Sequence, residues 1–185
     1  MDAMRVGIIG TGTMGEVHAA AWRAIGVQLA GCSSSNSAQA EEFAKRYNIR
    51  SFASYPELLS NVDIVDICTP TTSHKPMVLA AAEAGKHVIC EKPIALTLED
   101  GQAMIDACRG VRFFIGLVLR FFPQYRSAKQ LVAAGRICKP GVLRLKRVSY
   151  VPQNPEAWYF NDALSGGMVV DLMIHDFDYV RWLAG

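Results

Sequence analysis

The glycine spacing Gly10-Thr11-Gly12-Thr13-Met14-Gly15 constrains this chain more than any other feature, because it separates an apolar run, Val6-Gly7-Ile8-Ile9, from an amphipathic stretch. A strand that turns at once into a helix needs one glycine for the tight turn and another where a ligand meets the backbone. A third glycine then lets the helix lie close to the sheet. The new helix opens with unpaired N–H groups and the positive end of its dipole, a natural seat for a pyrophosphate. Dinucleotide binding is therefore the reading of this segment, with a purely structural glycine turn as the alternative.

Beyond the turn, short β-branched runs alternate with longer amphipathic stretches, the pattern of right-handed βαβ units on a parallel sheet. The spacing predicts strands over residues 5–9, 27–32, 50–52, 64–68, 87–90 and 112–117. Helices are predicted over 14–25, 37–47, 55–59, 75–84 and from 97 to near 110. Gly85 closes the fourth of these, and Thr97 followed by Asp100 marks the N-terminus of the fifth. The rhythm stops around residues 119–123. A domain boundary is placed there, with a dinucleotide-binding domain at 1–118 and the start of a second domain at 119–185. In that second part a helix is expected over 124–134, a strand over 141–151, a Pro/Asn-rich loop, and a helix over 168–183. The fold class is α/β, a doubly wound parallel sheet of Rossmann type, followed by an incomplete α+β domain.

Composition narrows the partners. Hydrophobic residues make up 51% of the 185 and charged residues 19%, enough to build a core. A net charge of +2 gives no polybasic field, so nucleic acid is not expected as a partner. The apolar N-terminal run is too short and glycine-broken for a signal peptide or membrane span, so no membrane partner is expected and a cytoplasmic location is. Five cysteines lie far apart with no C-x-x-C pair, so they read as reduced thiols rather than a zinc or redox site.

Four further constellations bear on chemistry. At the end of the second strand, where NAD-preferring folds carry an acidic residue on the adenosine ribose, stands Ser33-Ser34-Ser35-Asn36. Hydroxyls and an amide can donate to a 2′-phosphate that a carboxylate would repel, so Ser34 and Ser35 favour NADP slightly over NAD. Thr69-Pro70-Thr71-Thr72-Ser73-His74 ends a strand at the carboxyl edge of the sheet, where ligands bind; a solvated surface histidine is the alternative for His74. Glu91-Lys92-Pro93 follows the next strand, where the Lys92 ammonium could stabilise a developing alkoxide; a charged surface turn is the alternative. Lastly, Asp171, His175 and Asp178 share one face of a predicted helix, opposite Val170, Ile174, Phe177 and Val180. A histidine one turn from a carboxylate is suited to proton transfer. No second histidine or cysteine stands nearby, so no metal is assigned.

Taken in order, Gly10 to Gly15, Thr69-Pro70 with His74, Ala84-Gly85-Lys86-His87-Val88 leading into Glu91-Lys92-Pro93, and Gly166-Gly167 with Asp171 and His175 resemble the glucose-fructose oxidoreductase, inositol dehydrogenase and rhizopine-catabolism family (Gfo/Idh/MocA) across essentially the whole chain. The resemblance implies hydride transfer between NAD or NADP and a hydroxyl-bearing carbon of a sugar or cyclic polyol. It implies Lys92, Asp171 and His175 as the catalytic trio, with His175 the general base in oxidation or the acid in reduction. Gly10, Thr11, Gly12, Thr13, Met14, Gly15, Ser34, Ser35, Thr69, Pro70, His74, Glu91, Lys92 and Arg120 would serve the cofactor. The stretch from Asp171 to Asp178 looks most like the inositol 2-dehydrogenase branch, whereas the serine cluster points toward NADP-using sugar reductases. Family members continue well over a hundred residues past the position of Gly185, so a C-terminally truncated second domain is expected, and homo-oligomers where that domain is complete. A catalytically inactive dinucleotide-binding or scaffold fragment of the same fold is the alternative function.

Overall fold

Runs of β-branched and apolar residues set the strands, and their near-continuous hydrophobicity reflects burial on both faces, as parallel sheets require. In this computed structural model, which describes residues 4–138, 140–148 and 158–185, the strands are β1 (Arg5–Ile9), β2 (Gln28–Ser33), β3 (Arg50–Ser51), β4 (Ile64–Ile67), β5 (His87–Cys90) and β6 (Phe113–Ile115). They form one six-stranded, all-parallel sheet in the order β3-β2-β1-β4-β5-β6, so the chain reverses its direction of travel between β1 and β4. That reversal opens the crevice in which doubly wound sheets bind their ligands. The predicted strands and intervening helices of this region are all present.

Helices clothe both faces. On one, α1 (Thr13–Ala24) and α2 (Ser37–Tyr47) bury Ala19, Ala40, Phe43 and Ala44 against Ile8 and Cys32. On the other, α3 (Tyr55–Leu59), α4 (His74–Glu83) and α5 (Leu98–Ala107) bury Leu58, Val78, Ala81 and Met104 against Val65, Ile67 and Val88. Local chemistry fixes the helix starts: Asn36, Ser54 and Thr97 each accept a backbone N–H through the side chain as N-caps. Gly7 has no side chain because a Cβ there would meet Val62 Cγ1 at 2.7 Å and Leu58 Cδ2 at 2.8 Å.

The chain divides into two units, residues up to Ile115 and Gly116–Gly185, at the end of β6. The second unit holds α6 (Pro123–Ala133), α7 (Asp162–Ser165), α8 (Gly167–Asp171) and α9 (Ile174–Ala184), and its small core joins Leu119, from the turn Val118–Phe121, to Tyr179 and Leu183 of α9. Two expectations are corrected here. Residues 141–148 form no strand, most being solvent-exposed; residues 149–151 lie outside the described residues. The single helix expected over 168–183 is two, because the N–H groups of both Leu172 and Met173 turn to the Met168 carbonyl at 3.0 Å and the ladder restarts at Ile174. Among the described residues no helix is long and apolar enough to cross a membrane.

Candidate functional site

The glycine turn has the shape its spacing implies. Gly10 adopts φ +96°, a conformation that L side chains rarely take, and a Cβ there would lie 2.6 Å from the Cys68 carbonyl oxygen. Its N–H donates to Ser33 O at 3.0 Å, tying the turn to the end of β2. A Cβ on Gly15 would meet Gly10 O at 2.2 Å, so the helix can start this close to the strand only without a side chain. Gly12 differs: nothing lies within 4 Å of where its Cβ would be. It is the N-cap of α1 and offers no side-chain cap, so the N–H groups of the first turn of α1 gain no partner from it. Thr11 is buried, and its Oγ1 has no hydrogen-bond partner among the described residues. Open backbone, an orphaned buried hydroxyl and a helix N-terminus together fit a pyrophosphate; Thr13 and Met14 are exposed at the same rim.

A cavity of about 330 Å³ beside this turn is walled by Thr11, Gly12, Gln39 and Phe43, and contains a residue that the sequence reading passed over. Arg46, on the last turn of α2, donates to Glu16 at 2.6 Å and to Glu42 at 3.0 Å. Its charge is thus offset by two carboxylates. Ser34 accepts the Asn36 N–H at 3.3 Å, and the Ser35 side chain is exposed.

At the end of β4, Thr69 is half-buried and Pro70 exposed, but His74 has no accessible surface. Its Nδ1 lies 2.9 Å from Pro93 O and its Nε2 3.0 Å from Thr69 O. Both nitrogens of the His74 ring, expected to serve the cofactor, are turned to backbone carbonyls, so the ring braces the Thr69 and Pro93 loops against each other. Burial holds its pKa below the ordinary value, against the opposing pull of those carbonyls. At the end of β5, Lys92 is half-buried and its peptide with Pro93 is cis. Glu91 also points inward: one carboxylate oxygen accepts the Lys92 N–H at 3.1 Å, and the other lies 3.0 Å from His18 Nε2. The Glu91 carboxylate, expected to line the cofactor, is thus turned toward the protein interior.

That partner belongs to a polar cluster the sequence reading did not find. His18 Nδ1 lies 2.9 and 3.0 Å from the two oxygens of Asp66, a fully buried carboxylate on β4, and Trp22 Nε1 donates to the same carboxylate at 2.6 Å. Cys68 Sγ sits 3.4 Å from His18 Nδ1 and 3.6 Å from Asp66 Oδ1. Burial alone would lower the His18 pKa, but hydrogen bonds to Asp66, Cys68 and Glu91 and the Asp66 charge outweigh it and push it up to about 12. Burial raises the Cys68 thiol to about 12. Glu91 would be raised by burial, yet the His18 hydrogen bond and charge hold it below its ordinary range. Two signals could have revealed the cluster: a carboxylate inside the apolar run Ile64-Val65-Asp66-Ile67, which burial obliges to find a partner, and a histidine one turn beyond Gly15.

Within the second unit, Asp171 ends α8 and His175 is the second residue of α9, so the shared helical face expected of Asp171, His175 and Asp178 is broken at Leu172–Met173. The buried stripe of α9 is Asp176, Tyr179 and Leu183, whereas Phe177 is exposed, so the burial is rotated from the apolar face predicted. Asp176 receives Arg147 through Nε at 2.9 Å and a terminal nitrogen at 2.8 Å. Asp178 takes the Arg120 guanidinium in a two-pronged ion pair, with Nε at 2.7 Å, and the same cation lies 6.0 Å from the Trp182 ring centroid. Arg120, expected at the cofactor or substrate, therefore has a carboxylate partner within its own unit.

Residues 4–116 match the family described as oxidoreductase family, NAD-binding Rossmann fold, and residues 125–185 match the GFO/IDH/MocA C-terminal domain. The chain is 36% identical to myo-inositol 2-dehydrogenase from Thermotoga maritima over 98% of its own length and 55% of that protein's. It is also 36% identical to UDP-N-acetylglucosamine 3-dehydrogenase from Acidithiobacillus ferrooxidans, covering 100% of this chain and 56% of the other. The structure of levoglucosan dehydrogenase in complex with NADH and levoglucosan superposes with a TM-score of 0.86 at 30% identity, over 100% of this chain and 54% of that one. The chain thus spans about half the length of the relatives it matches.

Proposed function

This chain belongs to the Gfo/Idh/MocA oxidoreductase family, and we propose that it works as an NAD(P)-dependent oxidoreductase on a secondary hydroxyl, or the corresponding ketone, of a sugar or cyclic polyol. The observation that carries this reading is the open backbone at Gly12, set at the reversal of a parallel sheet with Glu91-Lys92-Pro93 at the end of β5. The first turn of α1 would hold the pyrophosphate, and Thr11 Oγ1 would gain the partner it lacks. Ser34 and Ser35 would take the adenosine ribose or its phosphate. The nicotinamide supplies a carbon that accepts or gives up a hydride.

In oxidation, His175 would take up the hydroxyl proton of the reacting alcohol. Lys92 offsets the charge gathering on the oxygen, and Asp171 fixes the alcohol; in reduction, His175 returns the proton. These roles rest on the family motifs at those positions. The relatives' names support the substrate class: an inositol, a nucleotide-linked amino sugar and an anhydrosugar are all polyhydroxylated rings. The five free thiols support a reducing, cytoplasmic setting, and self-association through the second domain belongs to the same proposal.

The test is a hydride-transfer assay following reduced nicotinamide with both cofactors across inositols, aldoses and ketoses. Lys92→Met and His175→Asn are expected to lower turnover by about 10²- to 10⁴-fold while the cofactor still binds. Firm cofactor binding with no turnover on any substrate pair would favour a non-catalytic scaffold instead.

A further inference from the structure

His18 has an unusual setting for a histidine in mid-helix. Both ring nitrogens face carboxylates, Asp66 at 2.9 and 3.0 Å on one side and Glu91 at 3.0 Å on the other. An ionised carboxylate only accepts hydrogen bonds, so each of these contacts requires an N–H on the ring. A neutral imidazole has one N–H and would turn a lone pair toward the second carboxylate. The geometry therefore calls for the doubly protonated, cationic ring. Its charge is also needed, because Asp66 and Glu91 are both buried and would otherwise confront each other through the space it fills.

The contacts form a chain with a direction. Trp22 Nε1 fixes Asp66, Asp66 fixes His18, His18 fixes one oxygen of Glu91, and the other oxygen of Glu91 holds the Lys92 N–H at 3.1 Å. The chain thus runs from α1, whose first turn borders the glycine turn, to the lysine at the end of β5. His74 restrains the next residue from the other side through the Pro93 carbonyl. With the cation removed, Glu91 would be left buried without its neutralising partner, and would take up a proton or swing away, releasing the Lys92 backbone.

We propose that His18, held as an imidazolium between Asp66 and Glu91, is a positioning residue that fixes the Glu91-Lys92-Pro93 turn. Its consequence for turnover rests on the function proposed above, whereas its charge state and its hold on the Lys92 backbone do not. A competing occupant exists for the same atoms: His18, Asp66 and Cys68 offer donors within 4.8 Å of one another, enough for three ligands of a metal ion. A metal would need a deprotonated ring nitrogen and a thiolate. The N···O separations of 2.9 to 3.0 Å are those of hydrogen bonds, and the cluster is fully paired by a proton without an ion.

Four measurements on the full chain test this. Nitrogen-15 spectra of the His18 ring are expected to show both nitrogens protonated at about pH 8, where an ordinary histidine is neutral; a neutral tautomer there would overturn the proposal. In His18→Gln, the Lys92 amide is expected to exchange with solvent at least about tenfold faster than in the parent. His18→Lys, which keeps a cation, is expected to recover part of that protection; unchanged exchange in the glutamine variant, or equal loss in both, would refute the positioning role. Where turnover is measurable, the glutamine variant is expected to lose about a hundredfold in kcat with little change in cofactor affinity, and the lysine variant to lose less. Absence of turnover in the parent would count against the proposed function while leaving the spectra and exchange as the test of this one. Finally, stoichiometric uptake of zinc by the parent that is abolished in Cys68→Ser would replace the imidazolium with a metal site.

Discussion

Gly12 and Gly15 sit three residues apart in one turn, and substituting each with alanine should separate ligand binding from folding. Gly12 lies at φ −79° and ψ −164°, which alanine adopts without strain, and its Cβ would enter empty space. Alanine lowers the entropy of the unfolded chain, worth about 0.4–1 kcal/mol in favour of the fold, while glycine is the better N-cap by a comparable amount. The two nearly cancel, so Gly12→Ala should melt within about 4 °C of the parent. The methyl group would nevertheless stand where a pyrophosphate must approach the N–H groups of α1. Losing one charge-assisted hydrogen bond costs about 1.5–3 kcal/mol, or about 10- to 100-fold in Kd. In Gly15→Ala the methyl carbon would lie 2.2 Å from Gly10 O, a backbone atom that cannot rotate aside. Overpacking of this kind costs at least about 1–3 kcal/mol, and the melting temperature should fall. Thermal melts read alongside titrations with reduced nicotinamide dinucleotides check both variants. Parent-like cofactor affinity in a folded Gly12→Ala would refute the assignment of the turn as the pyrophosphate seat.

Ser34→Asp should shift preference toward NAD by about tenfold or more in the ratio of dissociation constants, since a carboxylate repels a 2′-phosphate and accepts from a ribose hydroxyl; paired titrations with the two cofactors measure the ratio. The buried charges predict a pH dependence of stability with a definite sign. His18 is raised from 6.5 to about 12, so its contribution is complete below pH 6.5 and drains away as pH climbs toward 12. Glu91 is lowered from 4.5, so its contribution is complete above pH 4.5 and is lost on acidification. Urea melts should therefore show stability declining on the alkaline side in the parent and a flatter profile in His18→Gln; identical alkaline slopes would contradict the linkage. Leu58→Ala removes a fully buried side chain packed over Gly7 and should cost about 2–5 kcal/mol in the same urea melts.

The parallel sheet and its glycine turn were legible because their signals are local. Gly10, Gly12 and Gly15 lie within six residues, and β1, β4, β5 and β6 are short, largely apolar runs between amphipathic stretches. His18, Trp22, Asp66 and Glu91 come from three elements and meet only when the sheet closes, so neither periodicity nor spacing could assemble them. The orientations of His74 and Glu91 were hidden for a related reason: residue type and strand-end location identify the loops but not the direction in which the side chains point. In the second unit, the apolar stripe of Val170, Ile174, Phe177 and Val180 concealed the slip at Leu172–Met173, which depends on which carbonyl two adjacent N–H groups choose.

The sheet ends on both sides in very short strands, two residues at Arg50–Ser51 and three at Phe113–Ile115. An incoming polypeptide would find too few unpaired amides and carbonyls there to register against, so lateral growth of the sheet into a fibril or a strand-exchanged dimer has little to build on. Any meeting of this domain with another protein is thereby steered to its helix-covered faces and loops, where side chains rather than main chain decide who binds.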